Sequence, residues 1–161
     1  MPKTTAPQEE REMSVAAPVR VLYTAEATAV GGRGGHARTS DGRLDVDLAI
    51  PTEMGGPGSP GTNPEQLFAA GYAACFQSAL MGAARREHLT ADDLQVTARV
   101  GIGPIGEGTK TWGYGLTVQL KIHLPSVPDR KIAEALVARA HEICSYSNAT
   151  RNNIPVELLV V

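Results

Sequence analysis

Residues 61–81 read GTNPEQLFAAGYAACFQSALM, a run that favours helix and is too apolar and too small-sided to lie on a surface. Thr62 or Asn63 can cap its start, Pro64 suits the first helical position, and Gln66 stands three residues after Asn63, where a capping box places Glu or Gln. From Leu67 to Met81 the only polar side chains are those of Tyr72, Gln77 and Ser78, while Ala and Gly recur all round. The spacing predicts a helix buried on most faces. Cys75 sits in its middle, and Glu65 falls in its first turn, where a carboxylate complements the helix dipole. A dry helix raises a thiol's pKa and leaves it inert, so another element has to decide whether Cys75 is reactive.

Upstream, residues 51–60, PTEMGGPGSP, hold three glycines and three prolines and form a loop that carries Met54 toward the helix. Before it, Leu44, Val46, Leu48 and Ile50 alternate with Asp45, Asp47 and Ala49 after a Ser40-Asp41-Gly42 turn, which predicts a half-buried strand. Val19, Val21 and Tyr23 alternate with Arg20, Leu22 and Thr24 in a pattern that continues to Ala29, a first strand expected to pair with it. Between them, Gly31-Gly32-Arg33-Gly34-Gly35 is a turn that projects one arginine among four residues without side chains. A hairpin tip with a solvated Arg33 and a site built on Arg33 both fit. Residues 1–18 are polar, Pro-containing and aperiodic, so a flexible arm is expected there and a single domain over 19–161.

Downstream, Arg85, Arg86, Glu87 and His88 make a polar exit from the helix. Val96, Ala98 and Val100 alternate as a strand, and Leu116, Val118, Leu120, Ile122 and Leu124 give the clearest strand pattern in the chain, so a hairpin is expected. GIGPIG at 101–106 matches GxGxxG, but a dinucleotide site needs that motif to open a helix, and the next ordered segment is a strand. SVPD at 126–129 is a capping-box pattern followed by Ile132, Leu136, Val137, Ala140 and Ile143 at helical spacing, a second helix ending near Cys144. SYSN at 145–148 reads as a turn, and Val156, Leu158 and Val160 as a closing strand. This order lacks regular βαβ alternation and predicts an α+β fold with antiparallel sheets.

With 161 residues, 42% of them hydrophobic, the chain can form one compact domain or two joined lobes. A net charge of -2 without basic clusters offers no field for nucleic acid. No uninterrupted apolar run approaches the roughly 20 residues of a membrane helix, and residues 1–13 lack the apolar region of a secretory signal, so a soluble cytoplasmic protein is expected. Two cysteines outside any CxxC pair are too few for a disulfide scaffold and fit a reducing compartment. Each alone reads as a small core hydrophobe. Cys75, Cys144, His141 and His123 could be assembled as zinc ligands, but only His141 and Cys144 are closely spaced, so no metal and no cofactor is expected.

GGR at 31–33, SDGRLDV at 40–46, GTNPEQLFAAGYAACF at 61–76 and AHEICSYSNATRNN at 140–153 resemble the organic hydroperoxide resistance branch of the Ohr/OsmC superfamily, from about residue 20 to the end. Two positions depart from that pattern: Gly34 stands where an acidic residue is common, and Ser145 where a proline follows the second cysteine. The resemblance implies an OsmC-like fold, antiparallel sheets around a long buried central helix, in an intertwined homodimer. It implies a thiol peroxidase in which Cys75 attacks the peroxide, Cys144 resolves the product as a disulfide, and Arg33 and Glu65 assist. The expected partners are an organic hydroperoxide substrate and a dithiol reductant, dihydrolipoamide or a lipoylated protein. Met54, Leu67 and Phe68 are the residues expected to favour alkyl substrates.

Elementary chemistry agrees with these roles. A guanidinium beside a thiolate offsets desolvation, and a carboxylate can hold the guanidinium fork by a bidentate pair. On a continuous helix, however, Glu65 and Cys75 stand about 15 Å apart along the axis and cannot both meet one arginine head. Either the helix breaks near Gly71 or the Arg33–Glu65 pair reaches Cys75 from a second subunit, and the second is expected. The competing readings are an OsmC-type peroxidase of different substrate range and a non-enzymatic redox sensor switched by the same disulfide.

Overall fold

Asn63 opens the central helix: its side chain accepts the Gln66 N–H at 2.8 Å and Pro64 takes the first position. In the computed structural model, which describes residues 18–110 and 112–161, this helix, α1, runs unbroken over Pro64–Arg86. The arm expected over residues 1–18 lies outside the described residues apart from Pro18. The buried side of α1 carries Tyr72, Phe76, Ala79, Leu80, Ala83 and Ala84. Ala70, Ala74 and Ser78 face outward. Within one chain α1 is therefore buried along one side rather than on most faces, a difference that small side chains conceal because they leave no polar stripe to mark the open face. By length and composition α1 could also cross a membrane, but its large side chains are committed to the protein core.

That core is completed by a long hairpin of β4 (Gln95–Ile105) and β5 (Gly113–His123), paired antiparallel from Gln95 opposite His123 to Ile105 opposite Gly113. Strand alternation turns Val118, Leu120 and Ile122 inward. The GxGxxG match lies in β4 and the turn after it, as its sequence context predicts. The second helix, α2 (Arg130–Ile143), is capped by Asp129, whose side chain accepts the Lys131 and Ile132 N–H groups; Ser126 instead donates to Asp93 at 2.7 Å. The segment expected to be a turn after Cys144 is a short helix, α3 (Ser145–Thr150). Its backbone closes on itself, with the Asn148 N–H bonded to the Cys144 carbonyl and the Arg151 N–H to that of Ser147. The closing strand, β6 (Val156–Val160), lies parallel to β5, whereas antiparallel pairing alone was expected. A crossover through α2 and α3 returns the chain to enter alongside β5 in the same direction.

A second sheet orders β1 (Ala27–Val30), β2 (His36–Thr39) and β3 (Asp45–Asp47), all antiparallel. The glycine turn is a hairpin tip as expected, with a single 3-10 turn over Gly32–Gly34. Two details differ from the sequence reading. Residues 19–26 form no regular element, and β3 pairs with β2 rather than with β1. The hidden strand, β2, reads His-Ala-Arg-Thr and shows no apolar face, while all of β1 is exposed within the chain, so no burial pattern marks either. Gly35 is obligatory at this tip: a Cβ there would lie 1.9 Å from the Val30 carbonyl oxygen. The sheet is tied to α1 where Leu48 bridges Thr62, with the Ala49 N–H donating to the Thr62 carbonyl and the Thr62 N–H to that of Asp47.

Candidate active site

Cys144 ends α2 and begins α3, and the reversal there sets its side chain against the middle of α1. Its sulfur donates to the Cys75 sulfur at 3.3 Å, and both cysteines are free thiols. Two positions far apart in sequence are thus brought into contact. The environments differ. Cys144 is 1% exposed, and burial pushes its thiol pKa above the usual range, so it stays protonated. Cys75 is half-buried; desolvation opposes its ionisation, yet the Ser145 hydroxyl, the Tyr146 and Ser145 backbone N–H groups and the Cys144 thiol together bring its pKa below the usual thiol value. Ser145 Oγ lies 3.2 Å from Cys75 Sγ.

A buried polar cluster holds this turn in place. The Tyr72 hydroxyl, on the buried side of α1, bonds Ser147 Oγ at 3.0 Å and Thr150 Oγ1 at 3.1 Å, and His141 Nδ1 bonds the same Ser147 hydroxyl at 2.9 Å. Burial, with the nearby Arg151 charge, lowers the His141 pKa, so the ring sits neutral in the network. Arg151 in turn donates to the His141 carbonyl at 2.6 Å. Tyr146 stacks into an aromatic trio with Phe68 and Tyr72, ring centroids 5.5 to 5.9 Å apart. Its hydroxyl passes so close over Gly71 that a Cβ there would lie 2.7 Å from it.

Arg33 and Glu65 form a second station. The guanidinium donates to both carboxylate oxygens at 2.8 and 2.7 Å, and this fork holds the Glu65 carboxyl below its ordinary range. Because α1 does not break near Gly71, the pair stands about 15 Å along the axis from Cys75. The charge effect expected of Arg33 on Cys75 is not exerted within one chain; the donors there come from residues 144–146.

Met54, Leu67 and Phe68 are not brought together around Cys75. Met54 lines a cavity of about 450 Å³ beside Glu65, with Ala69, Val100 and Ile102; Phe68 belongs to the aromatic trio, and Leu67 is half-buried. The cavity that opens on Cys75, about 390 Å³, is lined by Ser78, Ala79, Gly82, Arg86, Ile143, Cys144 and Ser145. Among the described residues no group of three or more His, Cys, Asp or Glu side chains is placed to hold a metal ion. His141 serves the buried cluster and His123 is exposed at the end of β5. Ser145, Ser147, Tyr72 and Tyr146 escaped the sequence reading, because hydroxyl residues after a cysteine signal a turn and nothing in their spacing shows which helix they will meet.

An α+β chain whose central helix presses an ionisable thiol against a buried second thiol is a dithiol protein. This one belongs to the OsmC-like family, whose model, described as OsmC-like protein, matches residues 56–159. Its likeness falls on the organic hydroperoxide resistance branch. It is 49% identical over 145 residues to the organic hydroperoxide resistance protein of Xanthomonas axonopodis pv. citri (strain 306), covering 89% of this chain and 98% of that one. It is 42% identical to organic hydroperoxide resistance protein OhrB of Bacillus subtilis (strain 168), covering 85% and 96%. The crystal structure of OhrB superposes with a TM-score of 0.79 at 41% identity over 88% of this chain and 100% of that one. An organic hydroperoxide resistance protein from Legionella pneumophila superposes with a TM-score of 0.80 at 48% identity, covering 88% and 98%.

Proposed function

We propose that the protein is a thiol-dependent peroxidase that reduces organic hydroperoxides to alcohols, in keeping with the organic hydroperoxide resistance named for its relatives. The observation that carries this reading is the contact of two free sulfurs at 3.3 Å, one ionisable and partly open to a cavity, the other buried and protonated. The Cys75 thiolate attacks the outer peroxide oxygen. The O–O bond breaks, the alkoxide takes up a proton and leaves as alcohol, and Cys75 becomes a sulfenic acid. Cys144 then gives up its thiol proton and attacks that sulfur, the sulfenic hydroxyl leaves as water, and a Cys75–Cys144 disulfide forms. A dithiol of the dihydrolipoamide or lipoylated-protein class reduces it by exchange.

The functional unit in this reading is a homodimer in which the partner subunit's Arg33, held by the partner subunit's Glu65, faces Cys75 and stabilises both thiolate and departing alkoxide. Support comes from the distance between the two stations within one chain and from the apolar surface left open: Val19 and Leu22 are 83% exposed, Tyr23 79%, Val30 71% and Trp112 68%. Met54, Leu67 and Phe68 would join the substrate channel only in that assembly. Each substrate methylene buried there is worth about 0.8 kcal/mol, which favours alkyl over hydrogen peroxide. A cytoplasmic location fits a mechanism that needs both cysteines returned to thiols.

One equivalent of cumene hydroperoxide, followed by intact-mass measurement and disulfide mapping, tests the reading. The expected product is the chain less two hydrogens with a single Cys75–Cys144 link, and repeated turnover once dihydrolipoamide is added. Oxidation that occurs once and does not recycle would instead mark a sensor.

A further inference from the structure

The proposed peroxidase reading requires a Cys75 thiolate, yet within the chain no guanidinium or ammonium group is among the causes of its lowered pKa. The group in place is the hydroxyl of Ser145. Its oxygen lies 3.2 Å from the Cys75 sulfur, and Ser145 lines the same cavity as Ser78, Ala79, Gly82 and Arg86 of α1, the Arg86 charge not being among the causes of the Cys75 shift. A thiolate can only accept hydrogen bonds, so once Cys75 ionises the hydroxyl must donate to it, and the bond becomes charge-assisted. Other residues fix that aim. Ser145 is the first residue of α3, and α3 is anchored on α1 by Tyr72 through Ser147 and Thr150 and by the packing of Tyr146 against Phe68.

We propose that Ser145 is a catalytic residue of this reaction: its side-chain hydroxyl donates to the Cys75 sulfur, holds it as a thiolate and keeps it turned toward Cys144. The arrangement gives the Cys75 thiolate a donor from the chain's own α2–α3 junction, in addition to the partner subunit's Arg33, which in the proposed dimer acts on both thiolate and departing alkoxide. It also ties the two chemical steps together, because the residue that stabilises the attacking thiolate is covalently next to the thiol that resolves the sulfenic acid. The same hydroxyl stands where the sulfenic oxygen first appears and can stay bonded to it until water departs.

Peptide-resolved alkylation of Cys75 by iodoacetamide across pH, in the full-length protein without peroxide, reads the thiolate directly. Ser145→Ala is expected to move the midpoint of the Cys75 profile upward by about one pH unit, while Ser145→Thr, which keeps the hydroxyl, stays within a few tenths of the unsubstituted protein. The melting transition, recorded alongside, is expected to be nearly unchanged for both. A Ser145→Ala profile that overlays the unsubstituted one overturns the proposal, as does a shift of equal size in Ser145→Thr, which would mark a packing effect. Because alkylation needs no turnover, these outcomes are separable from failure of the peroxidase reading, which would show itself as full peroxide turnover in Cys75→Ser.

Discussion

The two cysteines differ in burial, and in the proposed reaction that difference separates the attacking thiol from the resolving one. Cys75 meets a cavity and a set of hydrogen-bond donors, whereas Cys144 is 1% exposed and burial raises its thiol pKa. Cys75→Ser is therefore expected to abolish turnover with cumene hydroperoxide. Cys144→Ser should consume a single equivalent and then proceed to sulfinic acid with excess peroxide, measured as two added oxygens on the Cys75 peptide. Glu65 offers a second residue-level prediction. Its carboxyl titrates lower in the folded chain because Arg33 donates to it, so the pair adds stability at neutral pH that is lost as pH falls from about 4.5 through the folded value. Glu65→Gln is expected to cost roughly 1–2 kcal/mol at pH 7 in urea unfolding and to flatten the acid limb of stability against pH. An acid limb identical to that of the unsubstituted protein would remove the pair from the stability of the fold.

At the scale of elements, the site depends on how α3 is seated on α1. Tyr72 is fully buried and its hydroxyl has two partners on α3. Tyr72→Phe leaves Ser147 and Thr150 short of a partner, an expected loss of about 1–3 kcal/mol by urea midpoint. The same change should slow alkylation of Cys75 near neutral pH, since the turn that donates to it is held less firmly. Gly71→Ala would set a methyl group 2.7 Å from the Tyr146 hydroxyl, so the Tyr146 ring has to shift. The start of α1, its Pro64, its Asn63 cap and the β4–β5 hairpin were all legible in the sequence, because capping and alternation are local signals. The strand β2 and the helix α3 were not, since a short polar strand held between two others and a six-residue helix rich in hydroxyl side chains take their form from what they pack against.

At the scale of the whole molecule, one chain keeps its cation–carboxylate pair and its dithiol about 15 Å apart on a continuous helix and leaves the face of β1 and the small-residue side of α1 uncovered. In the proposed dimer each site draws its thiols from one subunit and its guanidinium from the other. Two inactive variants, Cys75→Ser and Arg33→Ala, unfolded together in equal amounts and refolded are then expected to recover about a quarter of the normal activity, because half the dimers are mixed and each mixed dimer holds one intact site. No recovery in the mixture, with sedimentation showing mixed dimers present, would place the whole site in one chain.

The sequence by itself determined the helix that carries Cys75, the position of Glu65 in its first turn, the glycine tip that frees Arg33, and the α+β class, since each follows from residue type and spacing along a few turns or strands. Only the tertiary structure decided that Cys75 and Cys144 touch, that the Ser145 hydroxyl lies within hydrogen-bond distance of Cys75, and that Arg33 is bonded to Glu65 while remote from Cys75 in its own chain. Such contacts join segments tens of residues apart, and their geometry is set by how a rigid helix and a parallel crossover pack, which no local pattern records.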